Sequence, residues 1–256
     1  MLYPWRSFEA YPIFTNLAAG KSVTVPLHDD LSYDADGLTA AVTPRTKLAF
    51  LATPNNPTGV ATSTRDLAGI IERLPSDVIV VIDEAYREFL DPAFGDPVQD
   101  LVPRFANVVV TRTFSKAHGL AGLRLGYAVG DPRVIATVDK TLLPFAVNSL
   151  AQVAALAAIE HEEAIGARVQ GILAERARVE DALSRAGWKL PDHQGNFVWL
   201  RAGDATDAVG LGLERRGVVV RPFSGDGVRV TIGTPAENDR FLAALAEVVA
   251  EGTVQV

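Results

Sequence analysis

Short apolar runs rich in β-branched residues recur along this sequence and end in Gly, Pro or polar residues. Near-continuous apolar strands are typical of a parallel sheet buried on both faces. A helical pattern over residues 64–74 separates two of the runs, with Ser63 or Thr64 as its cap ahead of Asp66. This alternation predicts an α/β layered domain. The runs are Ser22–Leu27, Lys47–Leu51, Val78–Ile82, Asn107–Thr111 and Leu125–Val129.

The texture of the sequence changes in its second half. Residues 148–186 form a long, Ala-rich, charge-laced helical pattern without a strand, with Gly166 and Gly171 as candidate breaks. We therefore expect a larger unit over residues 1–143 and a smaller α+β unit over residues 144–256, with helices on one face of a small sheet. In the smaller unit we expect strands at Asn196–Leu200, Val218–Arg221 and Val228–Ile232, and helices at 205–216 and from Glu237 onward.

Composition excludes several classes of function. The 256 residues carry 24 Lys and Arg against 31 Asp and Glu, and this excess of negative charge argues against nucleic acid as the main partner. The absence of cysteine excludes disulfides, thiolate metal sites and cysteine nucleophiles, and the four histidines lack metal-ligand spacing. No signal-peptide layout or apolar run of the ~20 residues needed for a membrane span is present. We therefore expect a cytoplasmic protein without a metal site.

Loops that come directly after three expected strands carry side chains suited to chemistry. Ser115, Lys116 and Arg124 share a glycine-containing loop, which can hold a phosphate and offer an amine, or is simply a solvated basic loop. Asp83 ends another run, and it can pair with a cationic ring nitrogen or cap a helix. The segment 53–59 can aim an amide inward, or is a turn alone. Ligands bind at this edge of open α/β sheets, so we expect the three loops to contribute to one site.

Arg229 lies inside an apolar strand pattern and therefore needs an anionic partner. A bidentate contact with a substrate carboxylate is the functional interpretation, and an ion pair within the protein is the structural alternative. Each of these features has an ordinary structural explanation when taken alone. Their joint occurrence along one chain favours a common functional site.

In combination these motifs resemble fold-type I, pyridoxal-phosphate-dependent aminotransferases of class I/II, and within them the histidinol-phosphate and aromatic amino-acid aminotransferase branch. The resemblance implies a three-layer large domain with a mostly parallel sheet, a smaller α+β C-terminal domain and a homodimer. It also implies ping-pong transamination between an amino acid and a 2-oxo acid, with 2-oxoglutarate as the expected acceptor. The matching segments are Pro54–Gly59, Asp83–Tyr86, Arg112–Tyr127, Gln194–Val198 and Val228–Pro235.

The resemblance assigns roles to individual residues around pyridoxal 5'-phosphate. Lys116 is expected to hold the cofactor's aldehyde and then to act as the base that moves the substrate's Cα proton. Asp83 is expected to keep the pyridine nitrogen protonated, which makes the ring an electron sink. The other implied cofactor contacts are Asn56 and Tyr86 at the ring oxygen, Ser115 and Arg124 at the phosphate, and Phe8 on the ring face.

The implied substrate contacts are Arg229 at the carboxylate, Asn196 beside it, and Arg221, which corresponds to a phosphate-binding position in the histidinol-phosphate enzymes. The short loop between Arg221 and Arg229 is more similar to the aromatic amino-acid branch, so we expect an aromatic donor. Histidinol-phosphate transamination is the main alternative. A decarboxylase or lyase of the same fold, or a catalytically silent domain, are further alternatives.

One departure from the family concerns the start of the chain. Family members carry an N-terminal arm and roughly a hundred further residues, the scale of a small domain, before the segment that matches Met1. The resemblance therefore implies that the N-terminal part of the large domain is missing here. We expect this loss to expose apolar surface.

Overall fold

The computed structural model describes residues 1–254 and contains two β-sheets. The larger sheet has six strands in the order β2-β1-β3-β4-β5-β6. Strands β1 to β5 run parallel, whereas β6 pairs antiparallel with β5 at one edge. The strands are β1 (Leu2–Trp5), β2 (Val23–Pro26), β3 (Leu48–Ala52), β4 (Ile79–Asp83), β5 (Val108–Thr113) and β6 (Gly126–Gly130). The expected mostly parallel α/β sheet is confirmed.

Helices cover the larger sheet because its central strands are apolar on both faces. The main core lies where inward-facing strand residues such as Leu51, Val80 and Ile82 meet Leu67 and Ile71. The helix over residues 64–74 exists, ends earlier than expected, and is capped by Ser63, whose side chain accepts from the Asp66 N–H. The helices of this part are α1 (Ala10–Leu17), α2 (Ala35–Ala40), α3 (Thr64–Ile71), α4 (Pro97–Asp100) and α5 (Pro132–Asp139).

The smaller sheet is antiparallel, with the order β7-β9-β8, and has a core of its own. Apolar residues of its strands pack against the last three long helices, and Thr234 and Glu237 form a capping box at the start of the final helix. The elements are α6 (Ser149–Glu160), α7 (Glu162–Arg185), β7 (Phe197–Leu200), α8 (Thr206–Arg215), β8 (Arg221–Phe223), β9 (Gly227–Thr231) and α9 (Pro235–Ala250).

Three details of the sequence-based expectation were wrong. The Ala-rich stretch breaks at His161, whereas Gly166 and Gly171 lie within α7. A glycine inside a helix costs only about 1 kcal/mol relative to alanine. The helix-forming residues on both sides of these glycines therefore keep the helix continuous. The strand expected at Val218–Arg221 begins only at Arg221. Strand β1 and helix α1 were not expected at all.

Apolar side chains remain exposed along one part of the surface. Helix α6 buries Ala151 and Ala155 but exposes larger residues on its other faces. The exposed side chains on α6 are Leu150, Val153, Leu156 and Ile159, and Leu142, Leu143 and Phe145 precede them. Within the described residues, no helix combines the length and the apolar character needed to cross a membrane.

Candidate active site

Parallel pairing brings the carboxyl ends of three central strands to one level. Ala52 lies opposite Asp83, and Asp83 lies opposite Thr111. The loops that follow these strands therefore meet, together with the segment after β1, around a pocket of about 300 Å³. The pocket is lined by Phe8, Ala52, Pro54, Asn56, Asp83, Ala85, Tyr86, Thr113, Ser115, Lys116, Ala121 and Arg124. All seven residues predicted to contact the cofactor are in this lining.

Asp83 is held at the end of β4 by two hydrogen bonds. The Tyr11 hydroxyl donates to Oδ2 at 2.9 Å, and the Ala85 N–H donates to Oδ1 at 3.1 Å. Burial raises the pKa of Asp83, while these hydrogen bonds and the charge of Lys116 oppose the rise. The local bond to Ala85 is the capping type of contact, but no α-helix begins there. The carboxylate is oriented towards the pocket and has no cation in hydrogen-bond contact within residues 1–254.

Tyr11 is a site residue to which the sequence analysis assigned no role. It is buried, and burial followed by the charge of Asp83 raises the pKa of its hydroxyl, so the hydroxyl remains a donor at neutral pH. It also packs edge-on against Phe8, with ring centroids 5.7 Å apart. The sequence feature that could have indicated its role is its position three residues after Phe8 in the same segment.

The loop after β5 presents Lys116 to the pocket. The Lys116 side chain is exposed, and its Nζ lies 5.1 Å from the centroid of the buried Tyr86 ring. The Gly119 N–H donates to the Lys116 carbonyl at 3.0 Å, and Gly119 has a φ of 71°, which glycine adopts without strain. From α7, the Arg168 guanidinium donates to the Ala117 carbonyl. The backbone at and after the lysine is therefore held by hydrogen bonds, whereas its amine has no hydrogen-bond partner within residues 1–254.

Two further groups of this loop are suited to an anion. Ser115 is positioned by Thr113, whose Oγ1 lies 2.9 Å from the Ser115 Oγ and accepts from the Ser115 N–H at 3.1 Å. Arg124 is in the left-handed conformation, and among the described residues its side chain donates only to the Ala121 carbonyl, at 2.7 Å. Within residues 1–254, no carboxylate lies within 4.0 Å of the Lys116 or Arg124 side chain. Both cations can therefore accept a phosphate as partner.

Arg229 approaches the pocket from the smaller sheet and contacts one of its lining residues, Asn56. Its Nη1 donates to Asn56 Oδ1 at 2.5 Å, and its guanidinium carbon lies 5.2 Å from the Phe197 ring centroid. Its Nε is buried without a hydrogen-bond partner. In the described part of the chain Arg229 forms no ion pair, so the structural alternative of an internal salt bridge is not found. An unpartnered buried guanidinium N–H is the feature that a carboxylate would satisfy.

None of the three predicted substrate residues is in the pocket lining, and the other two form no hydrogen bond with Asn56 within residues 1–254. Arg221 pairs across the sheet with Arg229, and its Nη2 donates to Glu9 Oε2 at 2.8 Å. Asn196 comes directly before β7, and its carbonyl accepts from the Ile232 N–H at 2.9 Å. No side-chain hydrogen bond of Asn196 is found within residues 1–254.

A buried ionic network supports strand β5, which precedes the Lys116 loop. The Glu84 carboxylate is fully buried and accepts from Arg112 Nε at 2.7 Å, and Arg112 Nη2 also donates to Asp96 at 2.6 Å. Burial raises the pKa of Glu84, and the charge of Arg112 opposes that rise. Arg112 belongs to the motif that carries Lys116, yet its contacts make it a support of β5 rather than a ligand-binding group.

The donor set of the pocket fits pyridoxal phosphate. It combines the Lys116 amine for the aldehyde, the half-buried Asp83 carboxylate for the ring nitrogen, and a hydroxyl and a guanidinium for the phosphate. The groups lie in one pocket of about 300 Å³. The orphaned Nε of Arg229 adds a site for a substrate carboxylate beside it. In this arrangement Lys116, Asp83, Ser115 and Arg124 would hold the cofactor.

Comparison with known proteins gives consistent matches over most of the chain. A sequence model of the family "Aminotransferase class I and II" matches residues 1–245. The "Aromatic amino acid aminotransferase" of Streptomyces coelicolor is 49% identical over 248 residues, which cover 96% of this chain and 69% of that protein. The family depends on pyridoxal phosphate and acts on amino acids and 2-oxo acids.

Solved structures share the fold. The histidinol-phosphate aminotransferase of Sinorhizobium meliloti, solved in complex with pyridoxal-5'-phosphate, superposes with a TM-score of 0.91 at 30% identity, covering 98% of this chain and 70% of that one. The L-threonine-O-3-phosphate decarboxylase of Porphyromonas gingivalis superposes with a TM-score of 0.79 at 24% identity, covering 97% and 76%, which is evidence of a shared fold alone. The family match over residues 1–245 and the 49% identity to a curated relative show that this chain belongs to the class I and II aminotransferases.

Proposed function

We propose that this chain binds pyridoxal phosphate at Lys116 and transfers the amino group of an aromatic amino acid to a 2-oxo acid. The observation that carries the proposal is the convergence of Lys116 and Asp83 on one pocket, with the unpaired Arg229 beside it. The Streptomyces coelicolor relative, named for aromatic amino acids, supports the choice of donor.

Different residues of the site bind the cofactor, orient the substrate and transfer the proton. When bound, the cofactor supplies an aldehyde that takes up amino groups and a ring that accepts electrons. Asp83, fixed by Tyr11, keeps a proton on the ring nitrogen, and Ser115 with Arg124 holds the phosphate. Arg229 orients the substrate by its carboxylate. The Lys116 amine, once free and neutral, would take the proton from the substrate Cα and deliver it to the carbon of the cofactor's former aldehyde group.

Histidinol phosphate is the second candidate donor. The 30% identity to the Sinorhizobium meliloti histidinol-phosphate aminotransferase and the presence of Arg221 favour it. The decarboxylase alternative has only a shared fold in its support. These candidates differ in what they consume and release, so turnover separates them.

The first test is cofactor attachment. Purified protein is incubated with pyridoxal phosphate, reduced with borohydride and digested, and the pyridoxyl group is located by peptide mass spectrometry. We expect the adduct on Lys116 and none in Lys116→Ala, while Lys140→Ala, which removes an exposed lysine outside the pocket, retains it. An adduct spread over several lysines, or absent from Lys116, would contradict the proposed site.

The second test is the donor. Phenylalanine, tyrosine and histidinol phosphate are compared with 2-oxoglutarate as acceptor, following consumption of the oxo acid. We expect the aromatic donors to give the highest kcat/KM. Release of CO₂ without consumption of 2-oxoglutarate would instead identify a decarboxylase. Cofactor binding without turnover of any donor would identify a catalytically silent chain.

We also propose that the protein is a cytoplasmic homodimer. The exposed apolar side chains of α6, including Leu150, Val153 and Leu156, support an interface, because apolar surface of this extent is uncommon on monomers. Sedimentation equilibrium checks the dimer. A Leu150→Asp and Val153→Asp double variant is expected to shift the protein to monomer, whereas Leu211→Asp, at an exposed position of α8, is not.

A further inference from the structure

Two ion pairs of opposite polarity join the segment after β1 to the smaller sheet. Arg6 Nε donates to Asp226 Oδ2 at 2.7 Å, and Arg221 Nη2 donates to Glu9 Oε2 at 2.8 Å. Phe8, which lines the pocket, lies between Arg6 and Glu9 in sequence. Both ion pairs therefore flank, in sequence, a residue of the pocket lining, and one of them includes the cross-strand neighbour of Arg229.

The Glu9 contact determines how much positive charge Arg221 and Arg229 together offer to a ligand. Arg221 and Arg229 are directly opposite each other on β8 and β9, so their side chains share one face of the sheet. Glu9 neutralises Arg221, whereas Arg229 has no carboxylate within 4.0 Å in residues 1–254. The paired arginines thus present one uncompensated charge, which matches a substrate with a single carboxylate.

We propose that Glu9 is a specificity-determining residue that favours amino donors with an uncharged side chain over donors that carry a phosphate monoester. The inference rests on the proposed function and deepens it. A phosphate that approaches Arg221 must displace the Glu9 carboxylate or remain beside a like charge. Discrimination of this kind comes from a repulsive element in addition to attractive contacts.

Glu9 can be replaced without endangering the fold. Its side chain is 43% exposed and that of Arg221 is 59% exposed, and ion pairs between such groups contribute little to stability. The Arg6–Asp226 pair joins the same two segments but does not touch Arg221. Asp226→Asn therefore loosens the same junction without freeing Arg221, which makes it the matched control for Glu9→Gln.

The test measures binding to the cofactor-loaded protein by calorimetry. The probes are 2-phenylethyl phosphate and 2-phenylethanol, which differ in the phosphate and cannot react because they lack an amino group. In Glu9→Gln we expect the ratio of their affinities to rise about fivefold in favour of the phosphate, and the rise to shrink in high salt. The Glu9→Gln/Arg221→Gln double variant should lose the gain, and Asp226→Asn should not show it.

Turnover provides the second readout. In Glu9→Gln, kcat/KM for histidinol phosphate is expected to rise relative to histidinol and to phenylalanine. An unchanged affinity ratio in Glu9→Gln, or an equal gain in Asp226→Asn, would overturn the role of Glu9. If the wild-type protein turned over neither class of donor, the proposed function would fall, and the affinity ratio would still decide whether Glu9 controls phosphate binding.

Discussion

Asp83→Asn is expected to make the cofactor-free protein more stable while it weakens cofactor binding. The Asp83 side chain is half-buried at the end of β4, and its hydrogen-bond partners are the Tyr11 hydroxyl and the Ala85 N–H. Neither contact supplies a full positive charge, and burial raises the pKa of Asp83. Asparagine has the same shape and can keep one hydrogen bond to each partner, but it removes the cost of holding a negative charge there.

The magnitude and its pH dependence follow from proton linkage. Because the folded protein binds the Asp83 proton more tightly than the unfolded chain does, wild-type stability falls as pH rises from about 4 through the folded-state pKa. One proton changes the free energy of unfolding by at most about 1.4 kcal/mol per pH unit. Removing such a functional charge commonly adds roughly 0.5–2 kcal/mol. For a chain of this length, 1 kcal/mol corresponds to roughly 2 °C in Tm.

The assay is differential scanning calorimetry of both proteins between pH 5 and pH 8, with and without pyridoxal phosphate. Without cofactor we expect Asp83→Asn to melt about 1–4 °C higher at pH 7.5, with the difference shrinking towards acid pH. With cofactor at about a hundred times its Kd, wild type gains roughly 2.7 kcal/mol. The variant should gain less, because asparagine cannot stabilise a protonated ring nitrogen by charge.

Asp77→Asn is the matched control. Asp77 is exposed and paired with Lys47, which lowers its pKa, so its replacement should leave Tm nearly unchanged and should not alter the gain from cofactor. The reasoning about Asp83 fails if the variant is less stable than wild type without cofactor at pH 7.5. It also fails if the stability difference grows as the pH is lowered.

Three further changes test other parts of the structure. Arg112→Ala leaves Glu84 buried without its main partner, so we expect a loss of about 3–5 kcal/mol in urea unfolding at pH 8 that diminishes as pH falls and Glu84 protonates; an equal loss at pH 5 would contradict this. Gly59→Ala places a Cβ 2.9 Å from the His193 ring at a φ of 77°, and a loss of about 1–3 kcal/mol is expected by the same method. Arg229→Lys keeps the charge but not the paired donors, so KM for phenylalanine should rise roughly tenfold with Tm unchanged; an unchanged KM would remove Arg229 from substrate binding.

The larger sheet could be predicted from the sequence because its signal is local. Runs such as Val78–Ile82 are apolar, short and followed by polar loops, so both the strand and the position of Asp83 at its end follow from pattern alone. Strand β1 escaped prediction because its four residues contain a proline and two aromatic rings, which resemble a loop as much as a strand. Strand β1 forms because its backbone pairs with the neighbouring strands, and its composition alone does not indicate it.

The contacts that complete the site are long-range, and no local pattern encodes them. Tyr11 and Asp83 are 72 residues apart, and Glu9 and Arg221 are 212 residues apart. The sequence indicated that Arg229 needs an anion, but it could not show that Asn56 would be its neighbour or that Arg221 would be occupied by Glu9. Such pairings follow from how the two sheets are placed, which depends on the apolar cluster of Tyr86, Ala117, Val169 and Phe197 between them.

The distribution of charge in the site is the reverse of what stability alone would select. In the described part of the chain, half-buried Asp83 has no cation in hydrogen-bond contact, and Lys116, Arg124 and Arg229 have no carboxylate within 4.0 Å. Each of these groups is left to be matched by a ligand, so their replacement alters ligand binding, and at Asp83 it also alters the stability of the cofactor-free protein. The Glu9–Arg221 pair differs because the protein neutralises it internally and at an exposed position. Substitutions at this pair can therefore change the selectivity for the amino donor while the groups that hold the cofactor stay intact. Enzymes that share this fold can differ in donor class through this pair.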